Sequence, residues 1–249
     1  MLQAVSEAGR RGLSALAPEF LLGSFDFLSQ KRRRFRRRLL RGPVRTLDVG
    51  CGGGNWSVFA WRLGNRVTGV DTNRADLAEA ARLLAVWQVP EGEVEFRFHD
   101  ARALAELEGA FEQALCFEVI EHIRDHTAVL AGIHARLKSG GRLLLSVPNA
   151  ERRRLYGEVI DEQEAGGHVR WGYVRQELAG LLAAAGFGNI EVVGYGGCFT
   201  QWATEASRWL VQALRIPAAV TFLALNPFTG LDRLTRCAPF SWFAVAEKP

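Results

Sequence analysis

The chain has 249 residues, enough for one α/β domain with a full core plus a modest appendage. With 48% apolar and 23% charged residues, its composition excludes disorder as the main state. The net charge of +4 is a local feature: Lys31, Arg32, Arg33, Arg34, Arg36, Arg37, Arg38 and Arg41 supply eight of the 31 basic residues, and without them acids outnumber bases by four. A basic field over the whole surface is therefore excluded.

Residues 1 to about 23 form a weakly patterned lead. Around the basic run, Phe27, Leu28, Phe35, Leu39 and Leu40 predict a helix from Phe25 to Leu40, ended by Gly42-Pro43. Strand-like runs then alternate with helical patterns, the signature of βαβ units and a parallel sheet. Strands are expected at 45–49, 66–70, 94–99, 113–117 and 142–147, and helices at 56–63, 74–86 and 127–137, the last closed by a glycine cap in Lys138 to Gly141. After Pro148-Asn149 a polar stretch runs to Gly167, followed by a helix at 175–185 stopped by Gly186 and a strand at 190–195. The apolar segment Phe199 to Cys237 predicts two helices broken at Pro217 and Pro227, and a last strand occupies 242–246. The expected division is residues 1–42 as an N-terminal helical segment and 43–249 as the main domain, with 199–237 inserted before the final strand.

The four cysteines, Cys51, Cys116, Cys198 and Cys237, are scattered and form no C-x-x-C pair, which predicts a reducing, cytoplasmic setting. No secretory signal is expected at the N-terminus. "IPAAVTFLAL" (216–225) has about half the length of a bilayer span and predicts a core or interfacial helix.

The chemistry concentrates in "LDVGCGGGNW" and the following "GVDTN". Gly50, Gly52 and Gly54 allow a strand to bend tightly into a helix and a ligand to approach the backbone. Asp71, about twenty residues beyond the turn, stands where a carboxylate accepts from ribose hydroxyls, so the ligand contains adenosine. A dinucleotide fingerprint would need a third glycine where Asn55 and Ser57 stand, and Asp48 would place negative charge beside a pyrophosphate. The pattern suits a ligand that is positive where a dinucleotide is negative.

These motifs, followed by "FHDA" (98–101), "CFEVIEHI" (116–123) and "LKSGGRLLLSVPN" (137–149), resemble in order those of class I S-adenosylmethionine-dependent methyltransferases, over about Thr46 to Phe187. The resemblance implies a Rossmann-like doubly wound sheet, mostly parallel with an antiparallel last strand, carrying N- and C-terminal helical additions. It also implies S-adenosylmethionine as cofactor. The turn with Gly50, Cys51, Gly52 and Gly54 would approach its methionine part, Asp48 would lie near its amino group, Asp71 with Thr72 would hold the ribose, Asp100 and Ala101 would flank the adenine, and Phe117 and Glu118 would close the pocket. Asp100 also has the simpler role of a helix N-cap.

Methyl transfer to a hydroxyl needs the acceptor held in line and its proton removed. Glu118, Glu121 and His122 share a face if "EVIEH" is helical, and two carboxylates with an imidazole suit a divalent ion such as Mg²⁺. The stretch is similar to the E-x-x-E-H of ubiquinone-biosynthesis O-methyltransferases and small-RNA 2′-O-methyltransferases, where a later histidine, here His168, completes the set. Without a metal, His122 or His168 is the candidate base, or the site works by proximity alone. The acceptor implied is a small or lipid-like molecule; an RNA 2′-hydroxyl and a non-catalytic cofactor-binding scaffold are the alternatives. For residues 31–41 an anionic membrane surface, nucleic acid and a solvated helix face stay open, with nucleic acid disfavoured because no base-stacking motif accompanies the run.

Overall fold

A computed structural model describes residues 26–152 and 160–249. The N-terminal lead, Phe25 and part of the polar stretch after Asn149 lie outside the described residues. In chain order the elements are α1 (Phe27–Arg32), β1 (Arg45–Val49), α2 (Asn55–Arg62), β2 (Arg66–Asp71), α3 (Arg74–Trp87), β3 (Val94–Phe98), β4 (Phe111–Phe117), α4 (His126–Arg136), β5 (Leu137–Pro148), α5 (Arg175–Ala184), β6 (Gly188–Tyr195), α6 (Cys198–Leu214), α7 (Ala218–Leu225) and β7 (Ser241–Glu247). The seven strands form one sheet in the order β3-β2-β1-β4-β5-β7-β6. All pairings from β3 to β5 are parallel, and β7 enters antiparallel to both β5 and β6. This is the doubly wound sheet with an antiparallel last strand that the sequence predicts.

The central strands read as continuous apolar runs because helices cover both faces. Alternation along β5 shows it: Leu143 and Leu145 pack with Val129, Leu130 and Ile133 of α4 and Leu178 and Leu182 of α5, whereas Leu144 packs on the opposite face with Val58 and Phe59 of α2. Local capping agrees with this frame. Asn73 accepts from the Ala75 and Asp76 amides at the start of α3, and Asp125 accepts from the Ala128 amide at the start of α4.

Three sequence expectations are corrected. The helix at Phe25–Leu40 is instead α1 followed by a 3₁₀ segment, Arg33–Arg38. With three residues per turn, side chains at i and i+3 eclipse, and this aligns Arg32, Phe35 and Arg38 against the sheet. Arg32 bonds the Tyr195 hydroxyl, Phe35 stacks on Phe243 with ring centroids 4.0 Å apart, and Arg38 pairs with Glu191 at 2.7 Å. Arg34 donates to the Gly194 carbonyl and Lys31 to that of Thr229. Much of the basic run is thus folded onto the protein rather than displayed as one cationic face.

Second, Lys138 to Gly141 is no helix cap. It belongs to β5, where the Gly140 amide donates to the Lys248 carbonyl and the Lys248 amide to that of Gly141. Third, Cys198 and Cys237 are not isolated thiols but a disulfide clasping the ends of the 198–237 segment, which leaves the reducing-compartment expectation resting on buried Cys51 and Cys116.

The polar stretch after β5 returns to the sheet through Gly172 and Tyr173. Tyr173 donates its amide to the Pro148 carbonyl and its hydroxyl to that of Ile120, and its own carbonyl accepts from the Trp242 indole. Gly172 has φ +116°, and a Cβ there would lie 2.2 Å from the Pro148 oxygen. Gly172→Ala is therefore expected to cost about 2–4 kcal/mol of stability through strain and backbone collision; urea denaturation measures it, and an unchanged midpoint would contradict this packing.

Candidate functional site

The site lies at the carboxyl ends of β1, β2, β4 and β5, where the strand order reverses between β1 and β4. After β1 the chain turns through Gly50, Gly52 and Gly54, all with positive φ. At Gly50 a Cβ would lie 2.4 Å from Val119 Cγ2, so a larger residue would push the turn off the end of β4. Asp71 braces the turn: its Oδ2 accepts from the Gly52 amide at 2.9 Å and its Oδ1 from the Asn73 amide at 2.8 Å.

Three cavities lie at this end of the sheet, two of them walled by the turn. The largest, about 850 Å³, is lined by Gly50, Asp71, Thr72, Asp100, Ala101, Glu118 and His122, with Arg74 and Arg102 on its wall. That volume suits a nucleoside. A smaller one of about 130 Å³ is lined by Arg32, Asp48, Gly50, Cys51, Trp56 and Phe117. The third, about 280 Å³, lies between Glu118, Arg152, His168, Thr204, Arg208 and Phe240. Gly50 lines both of the first two cavities, and Glu118 lines both the first and the third. Gly52 and Gly54 shape the turn without lining a cavity; Gly54 is the left-handed residue that starts α2.

Electrostatics differ among the lobes. In the small one Asp48 is buried and its carboxylate accepts from Ser57 Oγ at 2.6 Å. Desolvation, opposed by that bond and reinforced by the charge of Asp71, pushes its pKa up to about 7. Asp100 caps the 3₁₀ turn Ala101–Glu106 and holds Arg102 bidentately, which keeps its pKa below the usual range.

Glu118 and Glu121 part company. Residues Ile120–His122 form one 3₁₀ turn instead of an α-helix, so the shared helical face is absent. Glu118, at φ 57°, is strained. Its Oε1 accepts from Ser146 Oγ at 2.9 Å and the Tyr195 hydroxyl at 3.2 Å, and pairs with Arg32 at 3.1 Å. Glu121 is fully buried, neither carboxylate oxygen has a hydrogen-bond partner, and burial raises its pKa well above the ordinary range. Ligand atoms of Glu121, His122 and His168 all lie within 4.8 Å of one another; Glu118 is not among them. His122 donates Nδ1–H to the Gly167 carbonyl, 2.9 Å away, which turns Nε2 toward Glu121 Oε1, 4.0 Å distant. The loop bearing His168 is tied by Asp161, which accepts from the amides of Gln163, Ala165 and Gly167.

Sequence reasoning missed Arg32, Arg152 and Ser57. Arg32 is one of eight bases in a run, and nothing in its spacing marks it as the buried one. Ser57 sits nine residues after Asp48, a distance that acquires meaning only once the turn brings α2 back over β1.

Comparison with known proteins agrees with this geometry. A family model described as "Methyltransferase domain" matches residues 19–192. The "Ubiquinone biosynthesis O-methyltransferase" of Xanthomonas euvesicatoria pv. vesicatoria is 39% identical over 113 residues, 45% of this chain and 46% of that protein. The protein of the same name from Ruegeria sp. is 33% identical over 159 residues, 61% of this chain and 63% of that one. The match thus spans about half the length of the first of these relatives. Among solved structures, Haemonchus contortus phosphoethanolamine N-methyltransferase 2 with S-adenosyl-L-methionine aligns at TM-score 0.60 and 21% identity, covering 87% of this chain and 52% of the other. Burkholderia thailandensis 1,6-didemethyltoxoflavin-N1-methyltransferase aligns at 0.56 and 22%, covering 96% and 86%. At those identities the likeness is one of fold. With the family model spanning most of the chain and the motifs gathered around one switch point, this chain belongs to the class I S-adenosylmethionine-dependent methyltransferases.

Proposed function

We propose that the protein methylates an oxygen of a small, lipid-like acceptor, using S-adenosylmethionine. The observation that carries this reading is the junction of three lobes at Gly50 and Glu118. Asp71 and Thr72 take the ribose, Asp100 and Ala101 border the adenine, and Asp48 and Arg32 meet the amino and carboxylate groups of the methionine part. The acceptor occupies the lobe between His168, Thr204 and Phe240. The name of the curated relatives supports oxygen as the atom methylated.

The cofactor supplies an electrophilic methyl group on a sulfonium. The chain holds the acceptor in line with it, excludes water with Phe240 and Phe117, and, when no metal is bound there, takes up the acceptor's proton at His122 or His168. Glu121, His122 and His168 would hold a divalent ion, because a buried carboxylate without hydrogen bonds lies beside two imidazoles, and with Glu118 outside the set these donors suit a transition ion better than the Mg²⁺ expected from the sequence. Such an ion would lower the pKa of an acceptor hydroxyl. Residues 43–249 are then the methyltransferase domain, with 199–237 its acceptor-side cap, and the proposed setting is the cytoplasm at the inner face of a membrane.

The test is transfer of labelled methyl groups to small-molecule, lipid and RNA fractions, with and without a chelator. Label is expected in the lipid or small-molecule fraction and to fall on chelation. Label in RNA alone, or in no fraction, would sink the acceptor assignment, and activity indifferent to thorough chelation would remove the metal.

A further inference from the structure

We propose that the outer face of the cap formed by α6, α7 and the 3₁₀ segment Asn226–Leu234 docks on an anionic phospholipid bilayer. Among the described residues, eight of the nine exposed large hydrophobic side chains belong to this cap. Their spacing follows each element's own period. On α6, Trp202 and Trp209 lie two turns apart; on α7, Val220 and Leu223 share a face opposite buried Phe222; on the 3₁₀ segment, Phe228, Leu231 and Leu234 recur every third residue along one edge. Trp202 and Phe228 meet edge to face at 6.3 Å, which joins the first stripe to the third.

Charge on the cap decides the partner. Arg208, Arg215, Arg233 and Arg236 are all exposed. Of the two acids in 198–237, Glu205 is buried, and Asp232 is turned inward, accepting from the Gly197, Phe199 and Thr200 amides and facing Lys31 at 3.8 Å. An apolar face whose exposed charges are all positive matches an anionic lipid surface, which offers both burial for Trp and Leu and counter-charge for Arg. No helix among the described residues is long and apolar enough to cross a membrane, so the cap lies on the surface. The same helix α6 walls the third cavity with Thr204 and Arg208, so docking would open the acceptor lobe towards the bilayer. That consequence rests on the acceptor reading above, whereas docking itself does not.

The experiment is co-sedimentation of the full chain with phosphatidylcholine vesicles and with mixed phosphatidylcholine–phosphatidylglycerol vesicles, alongside sedimentation velocity without lipid. Wild type is expected to bind the mixed vesicles, less so at high salt. The pair Leu223→Ser and Leu234→Ser, 64% and 81% exposed and therefore neutral for folding, should weaken partitioning at least about tenfold. Arg215→Gln, Arg233→Gln and Arg236→Gln should each weaken it about fivefold. Arg37→Gln, on the run that folds against the sheet, should leave it within about twofold by the same measure. Equal binding to neutral vesicles, loss through Arg37 alone, or no vesicle binding together with a dimer dissolved by the Leu pair would each overturn the proposal; the last would make the face a protein interface. Methyl transfer to a water-soluble acceptor without vesicles is expected to be unaffected by the Leu pair, which separates failure of docking from failure of the enzymatic reading.

Discussion

Asp71→Ala is expected to weaken S-adenosylmethionine binding by about 3 kcal/mol, on the order of a hundredfold. Two losses add. On the proposed placement of the cofactor the carboxylate no longer accepts from ribose hydroxyls, each such charge-assisted bond contributing about 1.5–3 kcal/mol when its partner is otherwise left unmet. It also no longer accepts from the Gly52 and Asn73 amides, which releases the glycine turn that shapes the floor of the site. Asp71→Asn keeps acceptor oxygen without full charge and should fall between alanine and wild type. Calorimetric titration with the cofactor measures all three, and an alanine variant that still binds within about threefold of wild type would show that Asp71 braces the turn without touching the ribose.

On the proposed reading, Asp48 is expected to make cofactor affinity depend on pH. Its pKa of about 7 in the free protein reflects burial, partly opposed by Ser57 and reinforced by Asp71. The sign follows from linkage. A folded-state pKa raised above the unfolded value means the folded chain holds the proton more tightly, so this group's contribution to stability is complete below the ordinary carboxylate range and is lost as pH rises through about 7. A cationic amino group bound beside Asp48 selects the ionised form, so cofactor binding strengthens over the same window. Affinity is expected to rise about tenfold from about pH 6 to about pH 8, while the melting temperature of the free protein falls. Asp48→Asn should flatten both profiles and bind weakly throughout. Since Cys51 and Arg32 border the same lobe, Asp71 acts on Asp48 through its charge, and all three remain in that variant, a slope that survives in it would assign the titration to another group.

The legible part of this chain follows from periodicities that tertiary structure reinforces. β1, β2 and β4 are buried on both faces, so apolar residues fall on both sides of each strand, and Gly50, Gly52 and Gly54 adopt the positive φ their lack of a Cβ allows. Spacing from that turn to Asp71 at the end of the next strand is set by the length of one βαβ unit. Other expectations failed where one side chain's fate depended on a distant partner. Periodicity makes 25–40 one helix, yet Phe35 meets Phe243 and Arg38 meets Glu191, and these contacts favour the tighter 3₁₀ winding. The "KSGG" stretch reads as a helix end, but its amides and carbonyls pair with Lys248 at the far end of the chain.

Sequence by itself indicated the sheet and the glycine turn with an acid on each side, because each rests on short-range spacing or on a backbone conformation that glycine adopts most readily, and the ordered motifs indicated the family by resemblance. Which acid of "EVIEH" is saturated and which is left without partners was decided only in three dimensions. A left-handed turn at Glu118 hands its carboxylate to Arg32, Ser146 and Tyr195, while the 3₁₀ turn buries Glu121 beside His122 and His168. Those partners are drawn from elements that meet only once the sheet has closed. The strength of a buried carboxylate's interactions depends on the groups packed against it, which local sequence does not contain.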